Sequence, residues 1–183
     1  MKKDESIHSF RVDALFDDHW APRERATLLF VFRDDEVLLI HKKRGLGAGK
    51  INGPGGRVEP GETPEQAAVR EVQEEVGITP IGVRDAGRLR FRFTDGHSIK
   101  GYVFRAAGYT GGEPVETVEA LPFWCPVEKL PYARMWADDR IWMPCLLGRR
   151  RFDGAFLFDG DRLLDVRMRY PDEAEAAGEI RKG

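Results

Sequence analysis

The chain has 183 residues, and its 29 Lys and Arg against 31 Asp and Glu give a formal net charge of −2. A charged fraction of 33% beside a hydrophobic fraction of 42% is typical of a globular protein and argues against a largely disordered chain. The length favours one domain, the near-neutral charge argues against a general nucleic-acid coat, and the apolar run 26–32 is shorter than the roughly 20 residues that span a bilayer.

The first 24 residues are mixed in character and are expected to form an arm in front of the domain. Phe10, Val12, Ala14 and Phe16 alternate with other residues, which suits a short edge strand as well as it suits a loosely packed arm. Two lysines near the start are followed by no apolar segment, so we expect no signal peptide.

The domain is expected over 25–171, and it begins with a hairpin. Residues 25–32 and 37–41 are rich in strand-forming residues around an Asp-Asp turn. The glycine-rich stretch 45–61 that follows predicts no regular element.

A helix is predicted over 63–76. Thr63 suits its N-cap, Pro64 its first turn, and Gly77 its end.

Beyond this helix the pattern alternates again. It predicts two further hairpins, one formed by 89–94 and 98–105 and the other by 155–158 and 163–169. A strand is predicted over 123–125 and a helix over about 139–148. Cys125 and Cys145 lack metal-ligand spacing, so we expect reduced structural thiols in the cytoplasm. Strands that enclose two helices indicate an α+β or α/β sandwich, followed by a flexible tail over 172–183.

The helix over 63–76 carries an unusual set of carboxylates. At about 100° per residue, Glu71, Glu74 and Glu75 share one flank beginning at the edge of the buried stripe, and Arg70 is expected on the opposite flank. Clustered carboxylates repel each other unless a cation is present, and oxygen ligands favour Mg²⁺ or Mn²⁺. A solvated acidic face is the alternative.

A loop of bare backbone precedes this helix. Its sequence, Gly53-Pro54-Gly55-Gly56, permits close approach of a ligand, so that a carbonyl there could bind metal and amides could face phosphate oxygens. A simple flexible loop is the alternative, and it weakens because the loop leads into a helix with three glutamates.

The stretch 56–78 resembles the complete Nudix box. Its fixed positions read Gly, five residues, Glu, seven residues, Arg-Glu-Val, one residue, Glu-Glu, one residue, Gly-Ile. The resemblance implies an α/β/α sandwich with a central mixed sheet and Mg²⁺-dependent hydrolysis of a nucleoside diphosphate linked to another group, with Mn²⁺ as a possible substitute.

The same resemblance implies roles for individual residues. Glu71, Glu74 and Glu75 would bind metal and help to activate water, and Gly55 would lend its carbonyl oxygen. Glu62 and Arg70 would pair and brace the loop against the helix.

From about 25 to 166 the chain is similar to a narrower group, the MutT-like oxidised purine nucleoside triphosphate hydrolases of animal type. The similarity is carried by 42–56, 113–139 and 149–166. It implies a small-molecule substrate such as 8-oxo-dGTP or 2-hydroxy-dATP, cleaved to the monophosphate and pyrophosphate. We expect no nucleic-acid polymer, no membrane, and a monomer or weak dimer.

Three residues near the second helix are candidates for base recognition. Trp136 could stack on a purine, although core packing is the alternative for a lone Trp. Asp138 and Asp139 could share a proton, so that one donates and the other accepts at the purine edge, or they could cap the helix. The family resemblance favours base recognition.

The resemblance adds further candidates, and packing or solvation is the alternative for Thr27, Lys42, Phe91 and Glu119. Substrate contacts are expected from Thr27, Lys42, Asn52, Gly56 and Phe91. Glu119 matches an additional metal-binding or water-activating glutamate, so that the catalytic set is Glu71, Glu74, Glu75 and Glu119, with Glu75 or Glu119 as the base.

The chain also departs from the animal group. Leu46, Ile51 and Pro54 stand where that group has aromatic residues. A broader purine preference therefore fits as well as selectivity for 8-oxo-guanine. The other functions considered are a Nudix hydrolase of dinucleoside polyphosphates or nucleotide sugars, a capped-RNA hydrolase, and a nucleotide sensor without catalysis.

Overall fold

The computed structural model describes residues 11–171. The expected flexible tail at 172–183 and Phe10 of the proposed edge strand lie outside the described residues. Over the described range, a nine-stranded sheet carries two α-helices. The strands are β1 Glu24–Arg33, β2 Glu36–Lys42, β3 Ile51–Asn52, β4 Gly55–Arg57, β5 Thr79–Phe93, β6 Ser98–Thr110, β7 Ala120–Pro126, β8 Phe152–Asp159 and β9 Arg162–Arg169, and the helices are α1 Pro64–Val76 and α2 Asp139–Leu147.

The sheet is mixed. Its order is β3-β2-β1-β6-β5-β8-β9, with β4 paired to β1 and β7 to β2. The pairs β1–β6 and β5–β8 are parallel, and the remaining pairs are antiparallel. The sandwich class expected from the sequence is therefore confirmed.

The central strands are buried on both faces, which explains their continuous apolar sequences. In β1, Leu29 and Val31 share a core cluster with Val72 of α1. Phe30, which lies between them, belongs to a second cluster with Trp142 of α2. The two helices thus cover opposite faces of the sheet.

The termini of α1 follow the sequence prediction. The Thr63 hydroxyl accepts a hydrogen bond from the Gln66 N–H at 3.2 Å, and the Gln66 side chain accepts one from the Thr63 N–H at 2.9 Å. Gly77 ends the helix with a φ of 74°, which a residue with a Cβ adopts at a cost. This reciprocal cap fixes where the acidic flank begins.

The prediction that 45–61 holds no regular element is wrong. The short strands β3 and β4 lie within it, and Gly55 in β4 pairs with Leu28 in β1. A Cβ at Gly55 would overlap the carbonyl oxygen of Thr27, so glycine permits this close pairing. The glycines that argued against a strand are the reason that it fits.

Two further predictions are modified. The hairpin expected over 89–94 and 98–105 is confirmed but is longer, because β5 continues through an irregular register near Asp85 and Gly87. In place of an edge strand, Val12–Phe16 forms a 3₁₀-helix whose Val12 and Leu15 are buried against β8. Their three-residue spacing matches one helical face, whereas the alternation suggested a strand.

Two smaller findings concern the cysteine thiols and the length of the helices. Cys125 and Cys145 are both free cysteines. No helix within residues 11–171 is long and apolar enough to cross a membrane.

Candidate active site

The carboxylate of Glu75 links α1 to the glycine-rich loop. Its Oε2 accepts a hydrogen bond from the Gly55 N–H at 2.8 Å, and its Oε1 lies 3.6 Å from Lys42 Nζ. Only 1% of the residue is exposed. Burial raises the pKa of Glu75 to about 7, although Lys42 and the Gly55 N–H act in the opposite direction.

Arg70 joins the other acidic residues of the helix. Its guanidinium donates to Glu62 at 2.6 and 3.0 Å, to Glu71 at 2.9 Å, to Glu74 at 3.0 Å, and to the Arg57 carbonyl at 3.1 Å. The bonds to Arg70 lower the pKa of Glu62. The expectation that Arg70 lies on the flank opposite the glutamates is wrong. Glu74, at the far end of the acidic flank, is next to Arg70 on the helical wheel, and the long side chain of Arg70 reaches both Glu71 and Glu74.

Glu71 lies directly against the loop backbone. A Cβ at Gly56 would overlap the Glu71 carboxylate, so this glycine makes room for it. Partial burial raises the pKa of Glu71 despite the contact with Arg70. Gly55 and Gly56 thus bring two strands of backbone and two carboxylates into one small volume.

Glu119 differs from the helix glutamates because it is exposed, in the turn before β7. Its backbone N–H donates to the Thr117 hydroxyl at 3.2 Å, and its negative charge raises the pKa of Glu75. Among residues 11–171, no three His, Cys, Asp or Glu side chains converge as a ready metal cage. The carboxylates of the helix are paired with Arg70 and Lys42 instead.

A cavity of about 450 Å³ opens beside this cluster. It is bounded by the first half of β1, the loop, β5 and the start of α2. Every residue predicted to contact substrate lines it, together with Gly55: Thr27, Lys42, Asn52, Gly56, Phe91, Trp136, Asp138 and Asp139. The predicted metal-binding glutamates Glu71, Glu74, Glu75 and Glu119 do not line the cavity, but Glu75 and Glu71 adjoin its edge through Gly55 and Gly56.

Two buried aspartates lie in the wall of this cavity. Asp138 is 2% exposed and Asp139 is 3% exposed. Asp138 Oδ2 accepts from Trp142 Nε1 at 2.8 Å, and Asp139 Oδ2 accepts from the Trp136 N–H at 3.1 Å. Asp138 Oδ1 has no hydrogen-bond partner among the described residues, and the side chain of Asp138 does not cap α2.

Burial and proximity disfavour two negative charges at this position. Burial raises the pKa of Asp138 to about 6, and burial together with the charge of Asp138 raises the pKa of Asp139. The pair therefore retains a proton to higher pH than free aspartates do, and it offers both a donor and an acceptor to the cavity.

Other polar groups in the cavity are also incompletely paired. Thr27 is 2% exposed, and its Oγ1 has no partner within residues 11–171. Asn52 Oδ1 accepts from the Gly53 N–H at 2.9 Å, which directs the amide nitrogen elsewhere. Orphaned buried polar atoms are uncommon, so these groups indicate a polar ligand.

The aromatic side of the cavity is larger than the sequence suggested. Phe93 and Phe158 line it beside Trp136, with ring centroids 6.5 and 5.7 Å from the Trp136 ring. Sequence reasoning missed Phe93, Phe158 and Trp142. Strand alternation in the predicted hairpin places Phe93 on the same face as Phe91, and it could have identified Phe93.

Comparison with known proteins identifies the relatives of this chain. Residues 22–146 match the family model described as the NUDIX domain. The chain is 46% identical to an oxidized purine nucleoside triphosphate hydrolase from Danio rerio over 73% of this chain and 86% of that protein, and 38% identical to one from Mus musculus over 80% and 94%. The crystal structure of a MutT protein from Bacillus halodurans, 28% identical, aligns with a TM-score of 0.71 over 79% of this chain and 97% of that one.

The buried aspartates make stability depend on pH in a defined direction. A carboxyl whose pKa is raised in the folded state binds a proton that the unfolded chain has released, so stability falls as pH rises from about 4 through about 6. We expect Asp138→Asn, which keeps an acceptor for Trp142, to reduce this fall by roughly 1–3 kcal/mol. Urea unfolding at pH 4.5 and 7.5 measures it.

The exposed residue Asp18 provides the matched control, since Asp18→Asn also removes a carboxylate. The wild type and the Asp18 variant should lose the same stability between the two pH values. An equal loss in the Asp138 variant would contradict the assignment of a raised pKa to this carboxyl.

Proposed function

This chain is a member of the Nudix hydrolase family, and we propose that it hydrolyses oxidised purine nucleoside triphosphates such as 8-oxo-dGTP and 2-hydroxy-dATP. The products are the nucleoside monophosphate and pyrophosphate. The proposal that the base is an oxidised purine rests on one observation. Two buried aspartates lie in an aromatic cavity that adjoins the acidic helix, and one oxygen of Asp138 has no hydrogen-bond partner among the described residues.

The proposed base site combines stacking with edge recognition. Trp136 and Phe91 supply faces for a flat ring, and stacking on an aromatic side chain is worth ~1–3 kcal/mol. Asp138, Asp139 and Asn52 present donors and acceptors to its edge. A purine that is oxidised at C8 or C2 differs from a normal one in the arrangement of hydrogen-bond donors and acceptors along its edge. Two carboxylates that share a proton can donate one hydrogen bond and accept another, so they can bind such an edge.

The acidic residues fit Mg²⁺, with Mn²⁺ as a substitute. The donors are carboxylate oxygens of Glu71, Glu74 and Glu75, the Gly55 carbonyl and, in an additional role, Glu119, and hard divalent cations prefer such oxygen ligands. The carboxylate of Glu75 is buried, and the groups that compensate its charge within residues 11–171 are Lys42 and one backbone amide, so a cation would stabilise it further. When bound, the metal would neutralise phosphate charge and lower the pKa of a water molecule.

The side chains of the protein divide the remaining work. Glu75 or Glu119 accepts a proton from the attacking water, whose oxygen bonds to phosphorus as pyrophosphate leaves. Lys42 offsets phosphate charge at the cavity edge. The bidentate pair of Glu62 and Arg70 holds the loop against α1, which is a positioning role.

We also propose the form of the substrate, the oligomeric state of the protein and the compartment of the reaction. The substrate is a free nucleotide rather than a nucleic-acid polymer, the protein acts as a monomer or weak dimer, and the reaction takes place in the cytoplasm. The cavity of about 450 Å³ has the size of a small-molecule site, which supports the first of these statements.

Steady-state hydrolysis with Mg²⁺ tests the choice of substrate. The panel comprises 8-oxo-dGTP, 2-hydroxy-dATP, dGTP and a dinucleoside polyphosphate, with product identification. We expect the highest kcat/KM for the oxidised purines and release of pyrophosphate. Preferred cleavage of the dinucleoside polyphosphate would assign a different Nudix specificity, and absence of turnover on every substrate would favour a nucleotide sensor.

Replacing Glu75 tests the acidic cluster. Glu75→Gln keeps the acceptor for the Gly55 N–H but removes the charge, so we expect kcat to fall by about 10²–10⁴-fold while the fold is retained. Glu65→Gln, at an exposed position of the same helix, is the matched control and should leave kcat unchanged. Near-normal turnover of the Glu75 variant would refute its role.

Replacing Trp136 tests the base site. Trp136→Ala removes the stacking surface, and we expect the KM for oxidised purines to rise roughly 5- to 100-fold with a smaller change in kcat. Trp136→Phe retains a ring and should recover much of the affinity. A KM unchanged by the alanine substitution would remove Trp136 from the base site.

A further inference from the structure

A second cavity lies at the opposite end of the sheet from the base site. Its volume is about 410 Å³. It is bounded by β5, β6 and those ends of β1 and α2 that are remote from the first cavity, which holds the proposed base site and is called the base cavity below. Five arginines line it, Arg84, Arg105, Arg149, Arg150 and Arg151. With two aspartates in the same lining, the formal charge of the cavity is 5 − 2 = +3.

The register of the sheet forces two of these arginines together. Arg84 in β5 and Arg105 in β6 are directly opposite each other in an antiparallel pair, so their side chains leave the same face of the sheet. Like charges in this position destabilise a sheet. Burial and the nearby charge of Arg149 also lower the pKa of Arg105.

Internal partners account for only part of this charge. Arg105 donates to the Leu146 carbonyl at 2.9 Å, which helps to end α2. Asp85 lies 3.6 Å from Arg151, but it already accepts two bonds from Arg88 at 2.6 and 2.8 Å. One aspartate is thus shared between two arginines.

Three guanidinium groups retain unused donors. Within residues 11–171, the side chains of Arg84 and Arg149 form no hydrogen bond or ion pair, and the buried Nε of Arg151 has no acceptor. Arg149 also has a φ of 56°, in the region that residues with a Cβ seldom adopt. The turn between α2 and β8 therefore holds three consecutive arginines, and the first of them has a conformational cost.

We propose that this cavity binds a pyrophosphate group, either free pyrophosphate or the polyphosphate of a nucleotide. Planar guanidinium forks match phosphate oxygens, and an anion with several charges would offset the repulsion among the arginines. The concave shape and volume suit a small molecule, whereas a nucleic-acid polymer would need an extended basic stripe. The ring of Phe32, with the Arg105 guanidinium 4.3 Å from its centroid, offers a surface for a nucleoside.

This site is separate from the one proposed for hydrolysis and does not depend on it. Thr27 and Phe32 lie in the same strand but line different cavities. In α2, Trp142 lines the base cavity and Leu146 lines the arginine cavity. A ligand bound among the arginines would therefore contact the same helix that carries the base-site aspartates.

Calorimetric titration with sodium pyrophosphate tests the proposal. The buffer contains EDTA, so that divalent ions cannot recruit the anion to the acidic helix. We expect the wild type to bind and the Arg84→Gln/Arg149→Gln variant to bind at least tenfold more weakly. Arg134→Gln, at an exposed position lining neither cavity, is the matched charge control and should bind as the wild type does.

A second variant covers the case in which the double variant does not fold. Arg149→Gly removes one guanidinium and places at this position the residue that best tolerates a positive φ, so the fold should be retained. It should weaken pyrophosphate binding severalfold.

A parallel titration with a non-hydrolysable nucleoside triphosphate distinguishes the two sources of the anion. Loss of nucleotide affinity in the double variant would assign the polyphosphate of a nucleotide to the cavity, and loss for pyrophosphate alone would assign the free anion. The proposal is overturned if the wild type shows no binding of either at millimolar concentration. It is also overturned if folded arginine variants bind both as tightly as the wild type.

Discussion

The contact between the Glu75 carboxylate and the Gly55 N–H joins the two halves of the proposed active site. It connects the acidic helix to the strand that borders the cavity, at a point where solvent is excluded. A carboxylate in this position is costly, because the backbone amide and Lys42 compensate only part of its lost hydration. The helix, loop and cavity can all be understood as an arrangement that holds this carboxylate where a phosphate-bound cation could meet it.

Glycine is the structural condition for that arrangement. Gly55 allows β4 to approach β1, and Gly56 leaves room for the Glu71 carboxylate. Arg70 then gathers Glu62, Glu71 and Glu74 around one guanidinium. Because several charged groups depend on one another within a few ångströms, a single substitution here changes the position of groups that it does not contact.

The local sequence was sufficient to predict the elements that are determined by residues close together in the chain. The capped helix α1 and the hairpin turns follow from residues a few positions apart, such as Thr63 and Gln66. The strand β4 could not be predicted in this way, because it depends on contact between Gly55 and the distant Thr27. The family resemblance named eight of the residues that line the proposed base site, but residue types alone could not separate a capping role for Asp138 from a pocket role.

The arginine cavity also depends on residues that are distant in sequence, so it could not be predicted from local patterns. Arg84, Arg105 and Arg149 are far apart in sequence, and no short pattern connects them. The antiparallel register of β5 and β6 brings the first two together, and the turn after α2 adds the third. Clusters of this kind arise from topology, so they become visible only when the strand order is known.

Anomalous diffraction from crystals soaked in Mn²⁺ tests the central claim most directly. We expect a manganese peak in direct contact with carboxylate oxygens of the α1 glutamates and with the Gly55 carbonyl. Glu71 and Glu74 should then have left Arg70 to reach the ion. An acidic cluster without manganese, with both glutamates still bonded to Arg70 at saturating metal, would contradict the claim that these carboxylates are assembled to bind a divalent cation.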